Sequence, residues 1–174
     1  PDEMTARILL TGVISDTLIL RSPTTTAIDK ATAGALAAIS GEFDIQSFGE
    51  KLFSVTDGMA TRVPENAIRS DFKVYSEHGV NIGIGQCEVT TLKDFHTYGD
   101  EYLKALEKVR EKDNLDWAIL MITDVLREHS LLLSTDFKAY NKLPWTKIND
   151  KVLDMPGVLS RKKQLLPEVI HTLD

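Results

Sequence analysis

The segment SDFKVYSEHGVNIGIGQCEV, residues 70–89, decides the fold of the larger part of the chain. Apolar and polar residues alternate in SDFKVY and again in VNIGIGQCEV, which is the pattern of half-buried β-strands. The two runs are separated by SEHG, a sequence typical of a tight turn. The segment therefore predicts a β-hairpin.

Helices and further strands are predicted after this hairpin. They are an amphipathic helix over 100–112 (DEYLKALEKVREK), strands over 117–126 (WAILMITDVL) and 130–135 (SLLLST), a short helix within 144–155, and a strand followed by a helical turn over 157–174. Strands that alternate with helices, together with one hairpin, predict an α/β fold. We expect a mixed β-sheet with flanking helices from about residue 48 onward.

The first 45 residues show two helical segments and no strand pattern. The first helix is expected to end in the turn-rich TGVISDT, residues 11–17. Thr26 and Asp29 have the spacing of a capping box that begins the second helix, and Gly41 is placed to end it. Because this segment has two helices and no sheet of its own, we expect it to be the helical remnant of an upstream α/β domain.

The chain is accordingly interpreted as a piece of a longer protein. Residues 42–66 are polar and irregular, which predicts a linker with one or two short helices. The expected division is a tail and linker over residues 1–47 and a second domain over residues 48–174. Sites completed by residues before Pro1 would not be visible in this sequence.

Composition excludes several classes of protein. Of the 174 residues, 43% are hydrophobic and 26% are charged, as in ordinary globular domains. No apolar run approaches the roughly 20 residues of a membrane-spanning helix. The formal net charge of −6 argues against general nucleic-acid binding, which requires a broad basic face. Cys87 is the single cysteine, so no internal disulfide can form, and a reducing, cytoplasmic location is expected.

Three consecutive cations in SRKKQ, residues 160–164, form the strongest candidate site. On a strand, Arg161 and Lys163 would project to one face and Lys162 to the other; in a bent segment, Arg161 and Lys162 would converge on one ligand. Arginine grips a phosphate through two hydrogen bonds, and lysine adds a point charge. Composition alone favours the alternative that these residues form a solvated sheet edge, where lysines discourage aggregation.

Two further charged residues stand in apolar surroundings. Asp16 lies between ILLTGVI and LIL, so its carboxylate is expected to have a partner: a metal ion, a backbone amide at a helix cap, or an arginine such as Arg21. A helix cap is the commoner role, although carboxylate oxygens also suit Mg²⁺ or Mn²⁺. Lys73 lies on the first strand of the hairpin, and taken alone it is interpreted as a surface lysine.

Three other candidate motifs do not indicate a metal, dinucleotide or catalytic thiol site. The four histidines, His78, His96, His129 and His171, lack the spacing of a metal-ligand pair. The GIGQ sequence at 83–86 lacks the third glycine of a dinucleotide-binding motif and precedes no helix. Cys87 has no neighbouring base and is expected to be a buried structural thiol.

Taken together, three segments resemble the family II, manganese-dependent inorganic pyrophosphatases of the DHH phosphoesterase superfamily. ISDTLILRSPTTT, residues 14–26, is similar to the end of that family's catalytic N-terminal domain. DFK, residues 71–73, and SRKKQ are similar to its phosphate-binding segments. The resemblance covers essentially the whole chain but only the C-terminal part of the family's length, and it outweighs the sheet-edge interpretation of SRKKQ.

The resemblance implies roles for individual residues. Asp16 matches a metal ligand, and Lys73, Arg161 and Lys162 match residues that bind substrate phosphate and act in catalysis. It implies a DHH-associated C-terminal domain that closes over a binuclear Mn²⁺ centre in the upstream DHH domain, with Mg²⁺ or Co²⁺ as other possible ions. The whole enzyme would hydrolyse pyrophosphate and form a homodimer through the upstream domain. The chain alone would bind no metal tightly and would be inactive.

Two other functions stay open at this point. Related proteins with the same type of C-terminal domain resemble exopolyphosphatases, so short polyphosphates are an alternative substrate. A non-catalytic module that senses phosphate or a nucleotide is the alternative from a different class. No nucleic-acid or membrane partner is expected.

Overall fold

The structure, a computed structural model, describes residues 1–54 and 58–174. The chain forms two compact units, Pro1–Thr56 and Asp57–Asp174. The middle of the segment interpreted as a linker, residues 55–57, lies outside the described residues. No helix within the described residues is long and apolar enough to cross a membrane.

The first unit consists of helices. They are α1 (Glu3–Asp16), α2 (Ala27–Ser40) and α3 (Ile45–Ser54). Residues 11–16 belong to α1, so the predicted turn at TGVISDT is wrong for most of its length. The helix continues because Leu10 and Ile14, both fully buried, extend its apolar face by another turn.

The predicted limits of α2 are confirmed. The N–H of Thr26 donates to Asp29 Oδ2 at 2.7 Å, and the N–H of Asp29 donates to Thr26 Oγ1 at 3.2 Å, which is a complete capping box. Gly41 follows the helix with φ of 75°, a left-handed conformation that glycine adopts without strain.

The second unit is built on a six-stranded sheet with the order β1-β2-β3-β4-β6-β5. The strands are β1 (Phe72–Glu77), β2 (Val80–Val89), β3 (Trp117–Asp124), β4 (His129–Ser134), β5 (Thr146–Asn149) and β6 (Val152–Pro156). β2 and β3 are parallel, whereas all other neighbours are antiparallel. The predicted hairpin and the predicted mixed sheet are both confirmed.

Helices cover both faces of this sheet. They are α4 (Pro64–Ser70), α5 (Phe95–Lys112) and α6 (Leu166–His171), with 3₁₀ turns at Met59–Thr61 and Lys138–Lys142 and a π-helical turn at Arg161–Leu165. α5 begins five residues before the predicted start and connects the parallel strands β2 and β3, a connection that requires such a crossover.

Two apolar cores result from the alternation of side chains along the strands. On one face, which we call the α6 face, Ile84 and Ile119 pack in one cluster with Leu165. On the other, the α5 face, Leu120 packs in a second cluster with Leu106 of α5. β3 is buried along its whole length because it contributes to both cores.

The helix predicted within 144–155 is wrong, because this segment forms the antiparallel hairpin of β5 and β6. Asn149 Oδ1 accepts the N–H of Lys151 at 2.8 Å, a local bond that stabilises the turn between the strands. β5 is an exposed edge strand, so it lacks the alternation that identifies a half-buried strand.

Candidate phosphate-binding site

The SRKKQ segment forms the π-helical turn that leads into α6. The N–H groups of Gln164 and Leu165 both donate to the carbonyl oxygen of Ser160, at 3.0 and 3.2 Å. The hydroxyl of Ser160 accepts the N–H of Lys163 at 3.2 Å and so begins the turn. The predicted strand is therefore wrong for this segment, and Arg161 and Lys163 do not share one face of a strand.

Gln164 holds the backbone that precedes the turn. Its Oε1 accepts the N–H groups of Leu159 and Ser160 at 2.8 and 2.9 Å, and its Nε2 donates to the carbonyl oxygen of Gly157 at 3.0 Å. These bonds satisfy backbone groups that a strand would pair with its neighbour. They explain why residues 157–160 do not join the sheet, and they fix the backbone from which Arg161 projects.

Gln86 joins the same segment to the sheet. It lies on β2, is 9% exposed, and accepts the N–H of Arg161 on its Oε1 at 3.2 Å. Its Nε2 donates to the carbonyl oxygen of Leu159 at 3.1 Å. This role was not predicted from the sequence, although a single amide side chain inside the buried run of β2 was a signal that it bonds to something other than the strands.

The side chain of Arg161 lies against the β1–β2 edge and is 11% exposed. Its Nη1 donates to the carbonyl oxygen of Asp71 at 2.6 Å and lies 2.9 Å from the Oδ1 of the same residue. The carbonyl oxygen of Ile84 is a third, more distant acceptor at 3.4 Å. The Nε atom is buried without a hydrogen-bond partner among the described residues. An unpaired buried donor costs free energy, which a bond to a ligand oxygen or to water would recover.

Lys73 lies on the α6 face of β1. The register pairs Lys73 of β1 with Ile84 of β2, and Ile84 is the residue whose carbonyl oxygen Arg161 contacts. Directly paired residues share a sheet face, so Lys73 projects on the side of the core that contains Ile84. Lys73 and Lys162 are both exposed. The structure thus places Lys73 at the strand position paired with Ile84, whose carbonyl oxygen Arg161 contacts, and Lys162 next to Arg161 in the turn.

Asp71 is the second contributor to the site that was not predicted from the sequence. It follows α4 and comes directly before β1, and its half-exposed carboxylate forms the ion pair with Arg161. Its main-chain oxygen also accepts the N–H of Gln86 at 3.0 Å, which extends the contact between the two strands. Its position in DFK, two residues before Lys73, was the only signal for it in the sequence.

Asp16 lies in the first unit, at the end of α1, and its side chain is exposed rather than buried. The turn after the helix is stabilised by Thr17, whose Oγ1 accepts the N–H of Leu20 at 3.1 Å. The next residues, Leu18, Ile19 and Leu20, have φ values of 49°, 57° and 62°. Such a left-handed run is strained for residues other than glycine, and strain of this kind clusters at functional sites.

The potential metal-ligating side chains of the described residues are scattered. Within residues 1–54 and 58–174, no group of three or more His, Cys, Asp and Glu side chains could hold a metal ion. Asp16 offers carboxylate oxygens of the type that Mg²⁺ and Mn²⁺ prefer, but one carboxylate is far from the six ligands of such an ion. The described residues therefore do not form a metal centre by themselves.

Cys87 is a buried free thiol on β2, as predicted. Burial raises the pKa of the Cys87 thiol, although the Arg62 guanidinium, whose Nη1 lies 3.2 Å from the sulfur, opposes that shift. A thiol with a raised pKa is a poor nucleophile at neutral pH. Cys87 therefore belongs to the core of the α5 face and not to the candidate site.

Known pyrophosphatases resemble this chain in sequence. A manganese-dependent inorganic pyrophosphatase of Methanocaldococcus jannaschii is 34% identical over 163 residues, which are 93% of this chain and 53% of that protein. The enzyme of the same name from Methanothrix thermoacetophila is 35% identical over 166 residues, again 93% of this chain and 53% of the relative. The chain spans about half the length of the curated relatives it matches.

The fold comparison agrees with the sequence comparison. A crystal structure from Methanococcus jannaschii, of a protein described as a family II inorganic pyrophosphatase, matches with a TM-score of 0.84 at 32% identity. The match covers 99% of this chain and 56% of that one. The DHHA2 domain matches residues 50–171, which include the whole sheet and the SRKKQ turn. The chain belongs to the DHHA2 domain family.

Proposed function

We propose that this chain is the C-terminal part of a manganese-dependent inorganic pyrophosphatase, which converts pyrophosphate and water into two phosphate ions. The names of the relatives and the match over nearly all of this chain support the proposal. Within the chain, we propose that residues 1–47 are the tail of the catalytic DHH domain with its linker. Residues 48–174 are then the DHH-associated domain that binds substrate.

In this function, Arg161, Lys162 and Lys73 bind the phosphate oxygens of the substrate. The observation that carries the proposal is the contact of Arg161 Nη1 with the carbonyl oxygen of Ile84, the residue paired with Lys73. It supports a single cationic surface built from two segments almost 90 residues apart in the chain. Positioned cations favour phosphoryl transfer because they orient the phosphate and stabilise the charge that builds up on its oxygens.

Asp16 is proposed as one ligand of the manganese centre of the whole protein. Its carboxylate and the strained turn beside it support this role. Because the described residues offer no complete ligand set, the other ligands would come from outside the described residues. For the whole protein we also propose a cytoplasmic location, which the presence of a single, unpaired cysteine in this chain supports, and a homodimer held together by the upstream domain.

A titration of the ¹⁵N-labelled chain with pyrophosphate at low salt tests the phosphate-binding surface. We expect saturable shifts of the Arg161, Lys162 and Lys73 signals, and we expect Arg161→Ala to weaken binding at least tenfold through loss of charge-assisted hydrogen bonds. Lys108→Ala is the matched control, since Lys108 is an exposed cation on α5, across the sheet. Shifts spread over all surface lysines, or equal effects of the two substitutions, would contradict the proposal.

A further inference from the structure

The contacts that the Arg161 side chain makes in the structure are concentrated on one nitrogen of its guanidinium, Nη1. Three oxygens surround Nη1: the carbonyl oxygens of Asp71 and Ile84, and the Oδ1 of Asp71. Two of the three are main-chain atoms, which remain whatever side chain stands at position 71. The orientation of Arg161 therefore does not depend on the carboxylate alone.

The backbone of Arg161 is fixed independently. Its N–H is held by Gln86, and the residues before it are held by Gln164. With the main chain and Nη1 both anchored by other groups, the Asp71 carboxylate contributes mainly its negative charge. That charge lies 2.9 Å from the cation proposed to bind phosphate.

A carboxylate and a phosphate bind a guanidinium in the same way, through charge-assisted hydrogen bonds to its N–H groups. An anion that approaches Arg161 meets the charge of Asp71 and competes with it. The Asp71 side chain is half exposed, with a relative accessibility of 50%, so solvent can take over its hydrogen bonds when phosphate displaces it.

We propose that Asp71 is a built-in counter-ion that competes with phosphate for Arg161 and so keeps phosphate binding weak enough for product release. The inference rests on the proposed function, because it assigns a regulator to the same phosphate-binding surface. It assigns Asp71 an effect opposite to that of a residue that merely holds Arg161 in place. If Asp71 merely held Arg161 in place, removing its carboxylate would weaken phosphate binding. If Asp71 competes with phosphate, removing its carboxylate strengthens phosphate binding.

Asp71→Asn tests the sign of the effect, since the amide retains an oxygen that can accept from Nη1 and loses only the charge. The probe is inorganic phosphate, titrated into the labelled 174-residue chain at low salt. We expect the dissociation constant of the Asp71→Asn protein to fall about three- to fivefold, the scale of a partly exposed ion pair. Asp71→Ala should change it in the same direction, and the amide spectrum of each variant reports whether the fold is retained.

Glu77→Gln is the control, because it neutralises one carboxylate on the same strand, about 20 Å from Asp71 at the rise of an extended chain. It should change the dissociation constant less than about twofold. The inference is overturned if both Asp71 variants bind phosphate as the unsubstituted chain does or more weakly. It is also overturned if Glu77→Gln tightens phosphate binding as much as Asp71→Asn does. Neither result contradicts the proposed phosphate-binding surface. If neither the unsubstituted chain nor Asp71→Asn binds phosphate saturably, both the inference and the proposed phosphate-binding role of this surface fail.

Discussion

At the scale of single residues, the amide of Gln86 links the sheet to the SRKKQ turn. Gln86→Met keeps the length of the side chain but leaves the N–H of Arg161 and the carbonyl oxygen of Leu159 without their partner. Unpaired buried polar groups cost about 1–3 kcal/mol. We therefore expect a loss of unfolding free energy of that size, together with weaker pyrophosphate binding.

Urea unfolding followed by tryptophan fluorescence measures this loss in the second unit, since Trp117 and Trp145 both lie there. Asn66→Leu is a suitable control, because it removes an exposed amide from α4 of the same unit and should change stability by less than about 0.5 kcal/mol. Equal stability of Gln86→Met and the unsubstituted chain would mean that the bonds of Gln86 contribute nothing to the turn.

Residue-scale prediction succeeded where the information is local in sequence. The capping box of Thr26 and Asp29 depends on two residues three positions apart, so spacing alone identified it. Gln86 and Asp71 act on Arg161 across 75 and 90 positions, and the local sequence around them, although it hints at a role, does not identify Arg161 as the partner. These two contributors to the candidate site required the structure.

At the scale of secondary-structure elements, an ion pair joins α4 to the end of α5. Arg69 Nη1 and Nη2 donate to the two carboxylate oxygens of Asp113 at 3.0 and 2.9 Å. The hydrogen bonds from Arg69 lower the pKa of Asp113 below its ordinary value of 3.8. A depressed folded-state pKa means that the pair adds stability above the unfolded-state pKa, and that this stability is lost as the pH falls through the folded-state value.

Asp113→Asn should therefore lower the unfolding free energy at pH 7 by about 1 kcal/mol or less, since both side chains are partly exposed. The difference from the unsubstituted chain should shrink below pH 4 as the carboxyl becomes protonated. Urea unfolding at pH 7, 5 and 3 measures it. A difference that stays constant over this range would show that packing, and not the charge of Asp113, is responsible.

Element prediction failed at two places in the last 30 residues, and for different physical reasons. The edge strand β5 is exposed on both faces, so its sequence has no period that separates it from a helix. Residues 157–160 have the apolar content of a strand, but their backbone groups bond to glutamine side chains. By contrast, β2 and β3 were predicted because burial in the cores dictates their composition.

At the scale of the whole molecule, the two units hold different parts of the proposed chemistry. The second unit contains the cationic surface with its anchoring residues, and the first contains Asp16. Substrate binding and turnover should therefore separate experimentally in this chain. Cations orient a phosphate, but they do not activate the water that attacks it.

We expect the 174-residue chain to bind pyrophosphate and to hydrolyse none of it, with or without added Mn²⁺. The described residues provide no group of three or more metal-ligating side chains, so the ion that would lower the pKa of an attacking water has no complete site. Phosphate release measured alongside a binding titration checks both statements on one sample. Manganese-dependent release of phosphate above the blank would place the active site within this chain. Pyrophosphate binding without phosphate release would support the proposal that this chain is the substrate-binding half of a larger enzyme.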